Sequence, residues 1–257
     1  MIILRGVAGV AIAALLLATT IVKSSDQGAI TNISKSTTVR ISSGDNHGSG
    51  VIVRENDGIY LVVTNDHVLI SGAEHCIESA GGGFYQGFHL PMINDKVDLA
   101  LLWFKSERGI EPVAHFASSP AAVIEESIQI VLATGFPANQ RYEERAGLTV
   151  PLLKKPLEGG YNLTYTSDID KGMSGGGIFN LNNELIGINA AHQEALWDAT
   201  WTYQSGEPVA ASLNKKLDLV AIGLNIISID KALKAIAIPS SEMIEDAEEA
   251  DICLKAG

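Results

Sequence analysis

The sequence predicts an all-β protein, because its composition favours strands and tight turns over helices. Its 257 residues include 25 glycines, which allow the chain to turn tightly. Short segments rich in Val and Ile recur along the chain, and these residue types are common in strands. With 46% apolar residues, the chain can bury a sizeable core as one domain or as two small ones.

Charge, histidine and cysteine content exclude several classes of function. The formal net charge of −12 argues against nucleic acid as a partner, because phosphates need a basic surface. An acidic surface attracts basic peptides instead, weakly and in a salt-dependent way. The six histidines show no metal-ligand spacing with acidic or thiol partners, so neither a metal nor another cofactor is expected. Two cysteines, Cys76 and Cys253, are no disulfide framework, and whether they pair stays open.

The N-terminal segment Met1–Val22 predicts an export signal or a membrane anchor. Arg5 provides a positive start, and residues 6–22 are uncharged and mainly apolar. No clear A-x-A cleavage site follows, so an uncleaved anchor remains open. We therefore expect an exported protein, periplasmic or secreted, that meets a membrane only through this segment. The Ser-, Thr-, Asp- and Gly-rich residues 23–36 predict a linker without structure of its own.

The first half of the chain after the linker predicts a run of strands. A strand at Thr37–Ile41 is followed by a polar loop, and residues 48–53 pair with Ile59–Thr64 around the turn at 55–58. The apolar run Leu99–Phe104 predicts a buried strand. We expect His75, His89 and His115 to be ordinary loop or surface residues. For His47, in a glycine-rich loop, a position at the rim of a cleft is the alternative.

The second half predicts more strands and one helix. A Pro- and Ser-rich segment at 115–120 resembles a link between two units, and strands are expected at 127–134, 177–180, 185–190 and 220–228. Residues 139–160 predict a hairpin with a mobile loop, and residues 191–217, with Trp197 and Trp201, predict a long insertion. Apolar residues at helical spacing predict a helix at Ile229–Ala237 with Ser228 as its N-cap.

The most informative stretch is Gly172–Gly176, a serine in a glycine-rich turn between two strand-like segments. A serine hydroxyl is a weak nucleophile unless a base takes its proton, and the oxyanion formed on attack needs fixed N–H donors. Glycines allow the backbone to aim two amides, those of Gly172 and Ser174, at one point. Taken alone, the segment fits a structural turn equally well.

Two upstream segments contain the groups that such a serine requires. His67 follows an apolar strand, and Asp98 directly precedes the apolar run that begins at Leu99. The order His, Asp, Ser is one of the known chain orders for a base, an orienting carboxylate and a nucleophile. Asp95, in the preceding turn, is a competing candidate for the carboxylate.

These segments carry a family resemblance. Thr64–Val68 (TNDHV), Val97–Leu102 (VDLALL) and Gly172–Gly176 (GMSGG), the last followed by NLNNELIGIN, resemble the motifs of trypsin/chymotrypsin-fold serine proteases. The bacterial trypsin-like and high-temperature-requirement (HtrA-type) proteases are the most similar, and the resemblance extends over residues 38–237. It implies two six-stranded antiparallel β-barrels, at 37–118 and 119–240, with a short C-terminal helix. An acidic tail at 241–257 follows, with no room for a PDZ-like domain.

The resemblance also implies a reaction, the hydrolysis of peptide bonds in protein or peptide substrates through an acyl-enzyme. Ser174 is expected to attack, His67 to take and return the proton, and Asp98 to orient His67. The amides of Gly172 and Ser174 would stabilise the oxyanion. Met173 stands where digestive relatives have an aspartate that pairs with a newly cut N-terminus. We therefore expect the oxyanion hole to form without N-terminal processing.

Specificity residues follow from the same resemblance. Asp168 lies six residues before Ser174, the offset of the carboxylate at the floor of the S1 pocket in trypsin-like members. A buried carboxylate there would bind Arg or Lys at P1, whereas an exposed turn aspartate is the alternative. The other expected substrate-binding residues form a strand edge and a pocket wall: Ala190, Ala191, His192 and Gly223. Since His192 occupies a position where the family often has glycine, access to the pocket is in question.

Two other functions remain open from the sequence. One is a protease-like binding module that has lost turnover, and the other is a serine esterase on the same scaffold. Covalent labelling of Ser174 separates the first from an enzyme, and ester against peptide turnover separates the second from a protease.

Overall fold

In a computed structural model of the protein, the described residues are 33–91, 96–106, 111–117, 128–138, 141–191, 200–236 and 253. They contain thirteen strands and two α-helices of seven or more residues. The strands are β1 Thr38–Ser43, β2 Asn46–Asn56, β3 Ile59–Thr64, β4 His75–Glu78, β5 Phe84–Leu90, β6 Ala100–Lys105, β7 His115–Phe116, β8 Ile130–Gly135, β9 Glu143–Leu148, β10 Leu163–Tyr165, β11 Gly177–Asn180, β12 Glu184–Ala191 and β13 Ala221–Asn225. The helices are α1 Ala211–Leu217 and α2 Ile226–Lys234. The predicted all-β class is confirmed.

The first six strands close into an antiparallel barrel. Their order is β1-β2-β3-β6-β5-β4, and β4 pairs back with β1 so that Ile41 lies opposite Ile77. The interior is apolar, with Tyr60 and Tyr85 stacked on Phe104 at centroid distances of 5.1 and 4.4 Å. Closure leaves no exposed sheet edge, so this barrel is a rigid support for residues at its ends.

The second sheet has the order β10-β13-β12-β11-β8-β9. Its two end strands are joined by a bridge between Thr149 and Tyr165, flanked by hydrogen bonds from Val150 N to Thr164 O (2.9 Å) and from Thr166 N to Leu148 O (3.0 Å). The double-barrel fold implied by the family resemblance is therefore confirmed. The predicted link at 115–120 contains an unforeseen strand, β7, which pairs in parallel with β12.

The two barrels share one apolar cluster. It combines first-barrel residues such as Leu61 and Leu101 with second-barrel residues such as Phe179 and Ile188, all of them 2% exposed or less. Helix α2 adds Ile229 to the same cluster, and Arg54 of β2 donates a hydrogen bond to the carbonyl of Leu233 at 3.2 Å. Burial of this surface holds the facing ends of the barrels together.

Several local predictions are wrong. The polar loop predicted between the first two strands is a two-residue turn, since Gly44 adopts φ +55° and lets β1 and β2 pair up to Ser43. Residues 33–37 form a helical turn in which the Ser34 carbonyl accepts from Thr38 Oγ1 at 2.7 Å, although residues 33–36 were predicted as linker and Thr37 as the start of a strand. His75, expected in a loop or at the surface, is buried in β4.

The C-terminal helix begins earlier than predicted. Helix α2 starts at Ile226, and its N-cap is Asn225, whose side chain accepts from Ser228 N at 3.0 Å. Ser228 is therefore inside the first turn and is not the cap. The periodicity of the buried residues extends one turn further back than the sequence indicated, because Ile226 is also buried.

The predicted insertion contains helix α1 and a small apolar cluster. Trp201 and Tyr203 pack there against buried residues that include Leu157 and Val209. These two aromatic residues, both half-buried, thus pack within the loop region.

Some predicted features lie outside the described residues. These are the N-terminal segment 1–22, the first part of the linker, the tail at 241–257 except Cys253, Trp197, and parts of the 115–120 and 139–160 segments. Within the ranges that the structure describes, no helix is long and apolar enough to cross a membrane.

Cys76 and Cys253, whose pairing the sequence left open, form a disulfide bond. Cys76 lies in β4 of the first barrel, and Cys253 is 4% exposed. The two residues are 177 positions apart, so the bond closes a loop that contains the whole second barrel. Cross-linking residues so distant in sequence restricts the unfolded chain and stabilises the folded state.

Replacement of Cys253 by Ser is expected to lower the free energy of unfolding by about 2–5 kcal/mol, the usual loss for a native disulfide. Urea denaturation measures this value. A reducing agent should cause the same loss in the unchanged protein and none in the Cys253→Ser variant. Equal urea midpoints for the two proteins under oxidising conditions would contradict the prediction.

Candidate active site

His67 lies on a 3-10 turn, Asp66–Val68, directly after β3. The side chain of Asn46 fixes this turn by donating to the carbonyls of His67 and Val68, both at 3.0 Å. Val68 is buried against Gly48, where an added Cβ would lie 2.6 Å from the Val68 methyls. The backbone of His67 is therefore fixed, while its side chain stays 48% exposed at the end of the barrel.

Asp98 reaches His67 because β3 and β6 are neighbours, with Thr64 opposite Ala100. Its Oδ2 accepts from His67 Nδ1 at 2.8 Å, and its Oδ1 accepts from the His67 backbone N–H at 3.0 Å. The Asp98 side chain is 11% exposed. The competing candidate, Asp95, lies outside the described residues.

The electrostatics of the pair keep Asp98 ionised. Burial by itself would raise the pKa of the Asp98 carboxyl, but hydrogen bonds and charge interaction with His67 outweigh it, assisted by a hydrogen bond from Tyr161. The net result is a pKa below the usual value. Because an ionised carboxylate can only accept, His67 Nδ1 carries a proton, and Nε2 is the ring nitrogen left to accept one.

Ser174 lies on the turn that precedes β11, with its side chain partly exposed. Its Oγ donates to the carbonyl of Ala190 at 3.0 Å. Among the hydrogen bonds of the described residues, none joins Ser174 to His67. The turn is nevertheless next to the strand that leads to His67, since a Cβ at Gly175 would collide with Ser49 O and Thr64 Oγ1.

The turn before Ser174 presents two backbone donors. Gly172 is buried with φ +98°, and a Cβ at this position would lie 2.6 Å from Phe136 O, so only glycine fits without rearrangement. Neither the Gly172 nor the Ser174 N–H has an acceptor in the described part of the chain. Two unoccupied amides beside a serine hydroxyl can stabilise a developing oxyanion.

Two buried polar residues hold this turn, and the sequence interpretation missed both. Ser49 Oγ donates to the Gly172 carbonyl, and Ser49 N donates to the Ser174 carbonyl, each at 2.8 Å. Asn189 Nδ2 donates to the carbonyls of Met173 at 3.1 Å and Thr134 at 2.8 Å. The Gly-Ser-Gly triplet around Ser49 was a signal, since it places a small polar residue where backbones approach closely.

Met173, which replaces the aspartate of digestive relatives, is fully buried. Its side chain belongs to the apolar core of the second barrel, together with Val131 and Ile178. Apolar burial and the hydrogen bonds to Ser49 and Asn189 thus hold the turn without an ion pair at this position.

The structure describes four of the five expected specificity residues. The expected burial of Asp168 is wrong: the residue is exposed and makes no ion pair among the described residues. Gly223 lies inside β13, where an added Cβ would face the second-barrel interior at Ile188 O and Ile178 Cδ1. Ala190 is buried and offers its carbonyl to Ser174, and Ala191 is at the end of β12. His192 lies outside the described residues.

The part of the chain that the structure describes contains no cluster of candidate metal ligands. No group of three or more His, Cys, Asp or Glu residues there could hold a metal ion.

A double β-barrel with a His–Asp pair and a glycine-flanked serine turn at the meeting of the barrels defines the trypsin-like class of peptidases. Comparison with known families agrees: residues 48–188 match the model described as the trypsin-like peptidase domain. This match covers more than half of the chain, and the protein belongs to that family.

Curated relatives are serine endoproteases of the HtrA type. The chain is 32% identical over 149 residues to the periplasmic pH-dependent serine endoprotease DegQ of Escherichia coli K12, covering 56% of this chain and 31% of that protein. It is also 32% identical over 151 residues to mouse serine protease HTRA4, covering 55% and 29%. The chain thus spans about a third of the length of these relatives.

Solved structures share the fold at low sequence identity. An inactive mutant form of Rv3671c from M. tuberculosis superimposes with a TM-score of 0.58 at 18% identity, covering 83% of this chain and 93% of that chain. The serine endoprotease from Yersinia pestis superimposes with a TM-score of 0.58 at 20% identity, covering 80% and 64%.

The lowered pKa of Asp98 predicts a pH-dependent contribution to stability. Its folded-state pKa lies below the unfolded value, so the contribution is present above the unfolded pKa of about 4 and is lost as the pH falls through the folded value. The stability difference between the unchanged protein and Asp98→Asn should therefore be larger at pH 7 and shrink on acidification. Chemical denaturation at a series of pH values measures it.

The matched control is Asp218→Asn, at an exposed aspartate that follows helix α1. Its effect on stability should be small and nearly independent of pH. A constant difference between the unchanged protein and Asp98→Asn from pH 7 to pH 3 would contradict the prediction.

Proposed function

We propose that the protein is a serine endopeptidase that hydrolyses peptide bonds through an acyl-enzyme. The observation that carries the proposal is the 2.8 Å hydrogen bond between His67 and Asp98 beside a serine turn with two unoccupied amides. Membership of the trypsin-like peptidase family supports the same reaction.

In the proposed mechanism, Ser174 leaves its hydrogen bond to Ala190 and turns towards His67. The cost is small, since one neutral hydrogen bond contributes about 0.5–1.5 kcal/mol. His67 Nε2 takes the hydroxyl proton as Oγ bonds to the substrate carbonyl carbon, and Asp98 stabilises the imidazolium. Hydrogen bonds from the amides of Gly172 and Ser174 stabilise the negative charge on the carbonyl oxygen.

The second half of the reaction uses the same groups. His67 gives its proton to the amine nitrogen as the peptide C–N bond breaks, which leaves an ester between Ser174 and the acyl part of the substrate. His67 then takes a proton from water, whose oxygen attacks the ester, and returns it to Ser174 Oγ. No net proton or electron is consumed, and the products are two peptides.

The oxyanion hole in this proposal needs no newly cut N-terminus. In the relatives with an aspartate before the serine, a charge pair forms the turn, whereas here the side chain is Met173, which is buried and uncharged. The hydrogen bonds from Ser49 to the Gly172 and Ser174 carbonyls take over that support.

We infer that Asp168 gives the enzyme only a modest preference for substrates with Arg or Lys at P1. An ion pair with an exposed carboxylate contributes about 0.2–1 kcal/mol, because water screens it and the side chains lose freedom. That energy corresponds to a preference of less than about tenfold. The net charge of −12 favours basic peptides in the same direction.

Export of the protein is proposed on three grounds. Residues 6–22 are apolar and follow an arginine, Cys76 and Cys253 are paired, and relatives such as DegQ are named periplasmic. Disulfide bonds persist in oxidising compartments such as the periplasm. Membrane contact, if the N-terminal segment is not cleaved, would be limited to that segment.

The activity is tested with a fluorophosphonate probe and a peptide library. The unchanged protein should be labelled covalently and cleave peptides, and Ser174→Ala should lose labelling and fall by roughly 10⁶-fold in turnover, or to background. Ser205→Ala, at an exposed serine, is the matched control and should behave as the unchanged protein. Absence of labelling would indicate a binding module, and turnover of esters without peptides would indicate an esterase; either outcome contradicts the proposal.

The P1 preference is tested with peptides that differ only in Arg, Lys or Leu at P1. Asp168→Asn should reduce the preference for Arg and Lys by a few-fold, since it removes one exposed charge. Asp218→Asn makes the same change of charge directly after helix α1 and should leave the preference unchanged. A preference for Leu, or an unaltered profile in Asp168→Asn, would reject the role of Asp168.

A further inference from the structure

Asp98 accepts a third hydrogen bond, from a side chain that the mechanism above does not use. The hydroxyl of Tyr161 donates to Asp98 Oδ2 at 2.7 Å, the same oxygen that accepts from His67 Nδ1 at 2.8 Å. We infer that Tyr161 is a positioning residue for Asp98, which holds the carboxylate in the orientation that directs His67 towards Ser174. This inference rests on the proposed function, because only a proton-transferring His67 needs such an orientation.

The backbone around Tyr161 is built to approach Asp98. Residues 157–161 form a tight turn, in which Leu157 accepts from Gly160 N at 2.9 Å and donates to Tyr161 O at 2.8 Å. Gly159 and Gly160 have φ values of +77° and +79°, which other residues rarely adopt. The turn reverses the chain over two glycines and so places Tyr161 next to the first barrel.

The same turn is bonded directly to the residues around Asp98. The Gly159 carbonyl accepts from Asp98 N at 2.9 Å, and Gly159 also forms a parallel bridge with Val97. A Cβ at Gly160 would lie 3.1 Å from a Val97 methyl, so glycine permits this close approach. The second barrel thus supplies a backbone bond and a side-chain bond to one residue of the first barrel.

The chain on the C-terminal side of Tyr161 is also held by hydrogen bonds. Asn162, the next residue, donates from its backbone to Gly223 O at 3.1 Å and accepts at Oδ1 from Asn225 N at 2.9 Å. Its Nδ2 donates to Ser228 Oγ at 3.0 Å, in the first turn of helix α2. The Tyr161 ring itself packs against the apolar cluster between the barrels and against the cluster around Trp201. The hydroxyl therefore has little freedom to leave Asp98.

The Asp98 carboxylate accepts from three donors, and their arrangement explains what Tyr161 would do. Oδ1 of Asp98 receives the His67 amide, and Oδ2 receives both His67 Nδ1 and Tyr161, so neither oxygen is free to rotate away. His67 and Tyr161 are the titratable groups whose interactions shift Asp98. Burial, with the charge of Asp98, raises the pKa of Tyr161, and its hydroxyl stays protonated as a donor throughout the working pH range.

Tyr161→Phe tests this role by removing the hydroxyl alone. We expect kcat to fall by about tenfold with little change in KM, because one charge-assisted hydrogen bond is lost and Tyr161 touches no substrate in the proposed mechanism. The acid limb of the pH profile of kcat/KM should move to higher pH. With one donor fewer, the carboxylate is more negative and holds the imidazolium form of His67 more strongly.

Tyr85→Phe is the matched control. Tyr85 also donates to a carboxylate, Glu111, at 2.6 Å, and it lies in β5 of the first barrel, so the chemical change is the same at a different place. Thermal unfolding checks that both variants fold. Gly160→Ala is a second variant: it keeps the hydroxyl but forces the turn away from Val97, and it should shift the acid limb in the same direction.

A readout that does not depend on turnover is the far-downfield proton resonance of the His67–Asp98 hydrogen bond, recorded in the Ser174→Ala background. Tyr161→Phe should shift this resonance or lose it to exchange, whereas Tyr85→Phe should not. The inference is overturned if Tyr161→Phe matches Tyr85→Phe in kcat, pH profile and resonance. Failure of the proposed function is recognised separately, by an unlabelled and inactive unchanged protein.

Discussion

The structure of the site depends on the contact that Ser49 makes between strand β2 and the serine turn. Through its backbone and its hydroxyl, this one residue donates to the carbonyls on both sides of Met173, those of Gly172 and Ser174. Its own carbonyl accepts from Thr64 Oγ1 at 2.7 Å, at the end of the strand that leads to His67. One buried residue of the first barrel thus links the candidate base to the candidate nucleophile. Because these groups are shielded from water, an unmade bond among them would be expensive.

Such a contact needs two barrels that meet in a constant register. The apolar cluster shared by the barrels supplies the attraction but not the register, since burial of apolar area has no directional preference. Direction comes from hydrogen bonds that cross between the barrels, from Ser49 to the serine turn and from the 157–161 turn to Asp98. Glycines at 175 and 160 permit these crossings. An added Cβ would strike Ser49 O and Thr64 Oγ1 at the first position and a Val97 methyl at the second.

At position 173, apolar packing and hydrogen bonds take the place of the aspartate ion pair that digestive relatives use beside the serine. Met173 has no charge to offer, yet its turn is closed by burial, by Asn189 on one side and by Ser49 on the other. The second barrel stabilises Asp98 through a tyrosine that lies 63 residues away in sequence. Each barrel therefore supports a proposed catalytic group of the other. The first barrel holds the serine turn of the second, and the second barrel holds the Asp98 carboxylate of the first.

The sequence by itself determined the all-β class, the order of the His, Asp and Ser motifs, and the need for glycine at 172. These follow from local chemistry: glycine content, apolar strands, and residue types that a nucleophilic serine requires. It placed Ser228 at the cap of helix α2, and it left Asp168 open between a buried pocket floor and an exposed turn, because a local pattern cannot tell which side chain the fold leaves exposed. Only the tertiary structure decided the pairing of Cys76 with Cys253, the role of Ser49 and the approach of Tyr161 to Asp98. Each of these joins residues from distant parts of the chain, and their meeting depends on how the two barrels pack, a property that no single segment carries.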